Sequence, residues 1–334
     1  MINKKILIFG ATGQIGKELS FEFKKNKNIT VISHSRTKVG ASFFNQNNVN
    51  NIVGDLMDKK ILDEISSADL IFDLAAPNYG TLLEIKEFYK KRIDILLSNM
   101  KKNSKFIFAS SMNAFGINGR RKILKNYFFS SSIYASNKRY AENYIKKKGK
   151  EKSIDIFLIR LSEVHGNFQR ASSNIKKLIN DKYIFEISKF PAWVTFISIL
   201  KDAIINILED KEKPGLYTLT CDDIYWSDLI EYFGRKVNIK PKYEIVNNKN
   251  NVFKTIVQII KKFLISKKDL IRGNFNINKD FEELLKLNYR INKAKLDSNK
   301  LKGVKVYREY NKYYGTLPGK RLKSINYDKN LLLR

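Results

Sequence analysis

One cysteine, Cys221, and two histidines, His34 and His165, are all that 334 residues supply of thiol and imidazole side chains. A lone thiol excludes an internal disulfide framework. So few sulfur and nitrogen ligands also argue against a dedicated metal site. Long apolar runs are missing too, since no window reaches the roughly 18 to 20 consecutive apolar residues that a membrane-spanning helix requires. The first ten residues carry only a short apolar run and no small-residue cleavage site, so they are not read as a signal peptide. A cytoplasmic location is expected. Acidic side chains are few beside basic ones, 33 against 63, which leaves a net charge of +30. Such a surplus could attract nucleic acid or an anionic membrane, but the lysines are spread along the whole chain and rarely alternate with aromatics. Solvated faces are therefore the expected reading, and nucleic acid is not an expected partner.

What is present is a regular alternation. Short apolar runs at 6–9, 29–33, 51–53, 70–74, 106–108 and 154–159 read as strands, separated by helical periodicity at 14–25, 82–101 and 134–147. Strand–helix repetition of this kind predicts an α/β fold, a doubly wound parallel sheet of the Rossmann type. Beyond about residue 166 the pattern loosens. Residues 174–178 and 196–208 look helical, and 215–219 reads as a strand after the Pro214-Gly215 turn. We expect a dinucleotide-binding domain over 1–166 and a smaller α/β, mainly substrate-binding domain over 167–330, with some segments returning to the main sheet. Residues 252–265 form a basic amphipathic pattern with Phe253, Ile256, Val257, Ile260, Phe263 and Leu264 on one side. Packing on the smaller domain is the expected role, and weak contact with a membrane surface is the alternative.

Gly10-Ala-Thr-Gly13-Gln-Ile-Gly16 follows the first strand and opens the first helix. Glycines there allow a tight turn and close approach of backbone to a pyrophosphate, and the helix start supplies free N–H groups. Gly10, Thr12, Gly13, Gln14, Ile15 and Gly16 are thus candidate dinucleotide contacts. The second strand ends in Ser33-His34-Ser35-Arg36, where an acid would select a free ribose hydroxyl. Ser35 and the Arg36 guanidinium suit a phosphate monoester instead, which favours NADP over NAD. Further on, Tyr134 and Lys138 stand four residues apart on one helix face. A nearby ammonium is expected to lower the phenol's pKa, and the same lysine can reach the nicotinamide ribose. Ser111 ends the fifth strand at the ligand-facing edge, where it can hydrogen-bond the oxygen that Tyr134 protonates or deprotonates.

Taken together, these stretches resemble the extended short-chain dehydrogenase/reductases, in particular the NAD-dependent epimerase/dehydratase family. The glycine loop is similar to that family's own. Gly54-Asp55-Leu56 resembles its adenine-contacting segment, and Leu74-Ala75-Ala76 its backbone segment beside the cofactor. Ala109-Ser-Ser-Met-Asn-Ala-Phe-Gly116 resembles its serine-rich strand end. Tyr134-Ala-Ser-Asn-Lys138, followed by Glu142, matches the active-site helix. Leu158-Ile-Arg160-Leu-Ser-Glu163-Val-His165-Gly166 resembles the strand that crosses toward the substrate, and Lys295-Leu-Asp-Ser-Asn-Lys300 the closing segment. Three departures stand out. Glu163 replaces an Asn near the sugar nucleotide's diphosphate, Asn167 replaces a Pro, and the helix before the fifth strand lacks a clear Asn-x-x-Gly-Thr.

The resemblance implies hydride transfer at a carbon of a nucleotide sugar, with Ser111, Tyr134 and Lys138 as the catalytic residues and NADP or NAD as cofactor. Dehydratases of the family carry an acidic pair after the catalytic hydroxyl. Met112-Asn113 stand there instead, which disfavours dehydration. Inversion at neighbouring carbons needs an extra Cys or His pair, whereas Cys221 lies in the outer segment and His165 reads as structural. Simple 4-epimerisation or 4-ketoreduction remains. Two alternatives stay open: a membrane-peripheral reductase of a lipid-linked sugar or sterol-like alcohol, and a non-catalytic dinucleotide-sensing or RNA-binding protein. The family likeness further suggests a homodimer through the helices at 82–101 and 134–147.

Overall fold

The computed structural model describes residues 4–77, 80–115, 133–245, 303–306 and 319–334. The helix expected at 252–265, the segment 295–300 and Gly116 lie outside the described residues. Strands β1 (Lys4–Phe9), β2 (Ile29–Ser35), β3 (Asn51–Val53), β4 (Leu70–Asp73), β5 (Lys105–Ser111), β6 (Asp155–Leu161) and β10 (Gly215–Leu219) form one sheet in the order β3-β2-β1-β4-β5-β6-β10. Every pairing in it is parallel. Parallel strands need crossovers, and helices supply them: α1 (Gln14–Lys24), α2 (Lys38–Gln46), α3 (Lys59–Ser67), α4 (Leu82–Asn99) and α5 (Ile133–Lys152). The outcome is the doubly wound Rossmann sheet that the alternation predicts.

Both faces of this sheet are covered. Ile6 and Ile8 point into one apolar cluster with Val31, Phe72, Ile107 and Phe157, while Leu7 and Phe9 point into the other with Ile71, Phe106, Phe108 and Leu158. A strand buried on both sides reads as an unbroken apolar run, which is how residues 6–9 appear in the sequence. Helix α4 starts at a reciprocal capping box between Thr81 and Glu84.

After β6 the chain builds the smaller part. β7 (Glu163–His165) pairs with β9 (Val194–Phe196), and β8 (Ile184–Ile187) lies between β11 (Lys242–Ile245) and β12 (Gly303–Val306). Helices α6 (Arg170–Asn180), α7 (Ile197–Leu208) and α8 (Trp226–Lys236) pack around them. The sequence reading did not pick out α2 and α3 between the main strands, nor α8, β8, β9, β11 and β12 in the smaller part, because elements of three to eleven residues show little periodicity. α6 also runs longer than the 174–178 expected. No helix among the described residues is long and apolar enough to cross a membrane.

Because the main strands run parallel, Phe9, Asp73, Ser111 and Leu161 all emerge at one edge of the sheet. Ligand crevices of doubly wound sheets lie along that edge.

Candidate active site

The glycine loop rests directly on the backbone after β4. Gly10 has φ +70°, and a Cβ built there would lie 2.7 Å from the Ala75 nitrogen; at Gly16 it would lie 2.5 Å from the Ala11 Cα. Only glycine permits either approach. The Gly13 N–H donates to the Gly10 oxygen at 3.0 Å, and α1 begins at Gln14 with no acidic residue in its first turn. First-turn N–H groups lack partners within the helix, so this end of α1 can hold an anion. Thr12, Gly13 and Gln14 are exposed at it, and Ile15 is partly buried. The Gln14 side chain turns away, its Oε1 accepting the Arg170 N–H at 2.8 Å.

At the end of β2, Ser35 is buried and its Oγ has no hydrogen-bond partner, while Arg36 is exposed beside it. Thr37 caps α2 by accepting the Gly40 N–H at 3.1 Å. The Gly54 N–H donates to the Ser35 oxygen at 3.0 Å, and the His34 Nε2 lies 2.9 Å from the Gly54 oxygen. Gly54-Asp55-Leu56 is thereby brought beside Ser35. Burial lowers the pKa of His34. Asp55 folds back locally, its Oδ1 accepting the Met57 N–H at 3.0 Å.

The three candidate catalytic residues meet at the ends of β5 and α5. Ser111 hydrogen-bonds the phenol of Tyr134. Lys138, only 3% exposed, donates its ammonium to the Ala109 oxygen at 2.7 Å, with its Nζ 4.6 Å from the Phe108 ring centroid and 5.9 Å from that of Tyr134. Here the electrostatic expectation needs correcting. Burial raises the pKa of Tyr134, and the Ser111 hydroxyl opposes the rise. Desolvation of the phenolate outweighs the hydrogen bond from Ser111. Burial likewise lowers Lys138 to about 8, against the pull of Asp73 and Glu142.

Beneath this group lie ionic pairs that sequence reasoning missed. The buried Arg92 of α4 forks onto Asp73 at 2.9 to 3.1 Å, and the Ala75 N–H donates to the same carboxylate at 3.1 Å. Arg92 occupies the helix that lacks Asn-x-x-Gly-Thr, and its guanidinium covers the Phe9 ring at 4.8 Å. Arg160 grips Glu142 with bonds of 2.8 and 2.6 Å, and Ser110 donates to that carboxylate at 2.5 Å. A charged residue breaking an apolar run, as Arg160 does between Ile159 and Leu161, was the available signal. Glu163 is turned onto His165, 3.2 Å away. His165 is fully buried between Phe196 and Phe233, and Cys221 is buried with its pKa pushed up to about 12.

The model of the NAD dependent epimerase/dehydratase family matches residues 6–184, more than half of the chain. A search of curated proteins gives no match. Among solved structures, the UDP-glucuronic acid 4-epimerase from Bacillus cereus, in complex with UDP-glucuronic acid and NAD, is similar at 18% identity and a TM-score of 0.53, covering 73% of this chain and 86% of that one. The UDP-N-acetylglucosamine 4-epimerase from Methanobrevibacter ruminantium M1, in complex with UDP-N-acetylmuramic acid, gives 19%, 0.56, 75% and 88% respectively. The Bordetella bronchiseptica enzyme WbmH, in complex with NAD+, gives 16%, 0.54, 74% and 87%. At such identities the likeness establishes the fold.

Proposed function

Since the chain belongs to the NAD dependent epimerase/dehydratase family, we propose that it transfers hydride at C4 of a nucleotide sugar, as a 4-epimerase or a 4-ketoreductase. The observation that carries this reading is the meeting of Ser111, Tyr134 and Lys138 at the same sheet edge as the glycine loop. Tyr134 exchanges the proton of the sugar hydroxyl or ketone. Ser111 orients that oxygen and moderates the phenol's basicity. Lys138 holds the floor of the crevice through Ala109 and would be the residue to bond the nicotinamide ribose.

A dinucleotide suits the residues around the loop. Gly10 and Gly16 let the turn pack against the backbone at Ala75 and Ala11, Gly13 is exposed at the start of α1, and Gln14 and Ile15 would offer backbone N–H groups to a pyrophosphate, with Ala75 and Ala76 beside the cofactor. When bound, the nicotinamide would supply the hydride acceptor and donor. Two of the three similar structures are complexes with NAD. For this chain we favour NADP, because Arg36 is exposed at the end of β2, where its guanidinium could meet a 2′-phosphate, while the buried Ser35 supports that corner from beneath. Asp55 and Leu56 would border the adenine. Helices α4 and α5, packed side by side, are the surface through which we expect two copies to pair.

The test is conversion of a panel of UDP- and dTDP-linked hexoses with each cofactor, read by NMR of the sugar. Formation of a 4-epimer, or reduction of a 4-keto sugar, is the expected result. A protein that neither gains thermal stability with NAD or NADP nor converts any sugar would overturn the reading.

A further inference from the structure

Glu18 lies one turn beyond the glycine loop on α1 and is only 4% exposed. A buried carboxylate needs donors, and all three of its hydrogen-bonding neighbours come from one short loop about 150 positions away. Its Oε1 accepts the Asn167 N–H at 2.5 Å. Its Oε2 accepts the Phe168 N–H at 3.0 Å and the Gln169 Nε2 at 2.6 Å. Gln14, at the first position of α1, completes the junction: its backbone oxygen accepts from the Gln169 Nε2 at 3.1 Å, and its side chain caps the Arg170 N–H. Phe168 leans on the rings of Phe21 and Phe43, at 5.9 and 5.8 Å, so the loop is also seated on α1 and α2 by apolar contact. A Cβ at Gly166 would lie 2.4 Å from the Glu18 Oε1, which leaves no room for a side chain there.

Asn167 gives this junction a particular character. The family that the chain resembles has a proline at that position, which fixes the backbone but carries no N–H. Here the N–H exists and makes the shortest of the three bonds to Glu18. Hydrogen bonding to a carboxylate thus replaces ring rigidity as the means of holding the loop.

We propose that Glu18, together with Asn167, is a positioning pair that fastens the loop after β7 to the glycine-loop helix, so that occupancy of the dinucleotide side orders the nucleotide-sugar side. The proposal rests on the assignment of those two sides given above. Its basis is that Gln14 belongs both to the first turn of α1, where an anion would sit, and to the junction with Gln169 and Arg170. Restraint of that turn passes straight into the loop, four residues after Glu163.

Backbone amide exchange of Asn167 and Phe168, followed by NMR on the full chain with and without NADP or NAD, tests this. The wild type should protect both amides and protect them several-fold more once the dinucleotide saturates. Glu18→Gln keeps the packing but sets an NH2 group against the loop donors. Exchange should then quicken by about 10- to 100-fold, the span expected for hydrogen bonds to a charged group, and lose its response to dinucleotide. Gln169→Leu keeps the volume but removes the amide that ties Glu18 to the Gln14 oxygen; Phe168 should then lose that response, and KM for the sugar should rise about tenfold with kcat little changed. If E18Q does not fold, Q169L alone decides. Wild-type exchange at Phe168 that ignores a dinucleotide shown to bind by calorimetry overturns the coupling and leaves the proposed function standing. A dinucleotide that does not bind at all removes both.

Discussion

Where β4, β5 and β6 end, the interior holds ions: Asp73 with Arg92, Glu142 with Arg160, and the Lys138 ammonium among aromatic rings. In the part built by β7 to β9 and α6 to α8, the interior holds rings and hydroxyls instead. Trp193 and Trp226 are 1% exposed, His165 is flanked by Phe196 and Phe233, and the Thr195 hydroxyl donates to the Leu219 oxygen at 2.6 Å. Both regions are equally dry, yet they are held by different means. Apolar burial is non-directional and stabilises in proportion to area. Buried ion pairs are directional and stabilise little net, because desolvation offsets the attraction. The crevice side therefore spends stability on orientation, which is what the role proposed for Tyr134 beside a flat nicotinamide would require. The outer part has no such demand.

Four measurements would break or sharpen that contrast. Arg92→Leu leaves Asp73 buried and unpaired, so urea unfolding should show a loss of about 3–5 kcal/mol, and the double variant with Asp73→Leu should recover most of it. Trp226→Ala in the outer part should lose a similar amount through its cavity, with no second substitution restoring it. A double variant as weak as R92L alone would show that the pair is not the unit. Next comes Tyr134→Phe, expected to slow turnover by at least ~10²-fold while dinucleotide affinity holds, measured by initial rates and titration. Unchanged turnover removes the phenol from the reaction.

The third concerns pH. Lys138 titrates near 8 when folded and near its ordinary 10.5 when unfolded. Between those values the unfolded chain binds more protons, so stability rises with pH across that window, by on the order of 1–3 kcal/mol. Lys138→Met should lack this rise when melting curves are compared at pH 8 and pH 10. The smallest effect belongs to the rim. Arg36→Ala should lower the ratio of NADP to NAD efficiency by about tenfold, and an unchanged ratio removes Arg36 from cofactor choice.

Local geometry explains what could be read in advance. Gly10 to Gly16 sit on a single strand–helix turn, and Tyr134 and Lys138 on a single helix face, so their relation follows from spacing. Ser111 followed from strand direction. The Asp73–Arg92, Glu142–Arg160 and Glu18–Asn167 partnerships span 18 to about 150 positions, and nothing local selects one partner over another. The direction of the Tyr134 shift was misread for the same reason. It depends on how deeply the phenol is buried and on the hydrogen bond it receives from Ser111, and both are tertiary facts. Asp73 after Ile71-Phe72, like Arg160 between Ile159 and Leu161, breaks an apolar run, and those interruptions were the local hints of the ions below.

Strand β10 joins the main sheet only after the chain has left it and built α6 and α7. Its five residues pair along β6 from Phe157 to Leu161, and the Lys320 oxygen in turn accepts the Thr218 N–H at 2.8 Å. A fragment cut at residue 166 would thus present β6 as a bare, flat, apolar rim, the kind of margin that recruits strands from other molecules. During synthesis the same rim stays open until residue 219 has been made, so the window for misassembly is set by the ribosome's progress through the outer part.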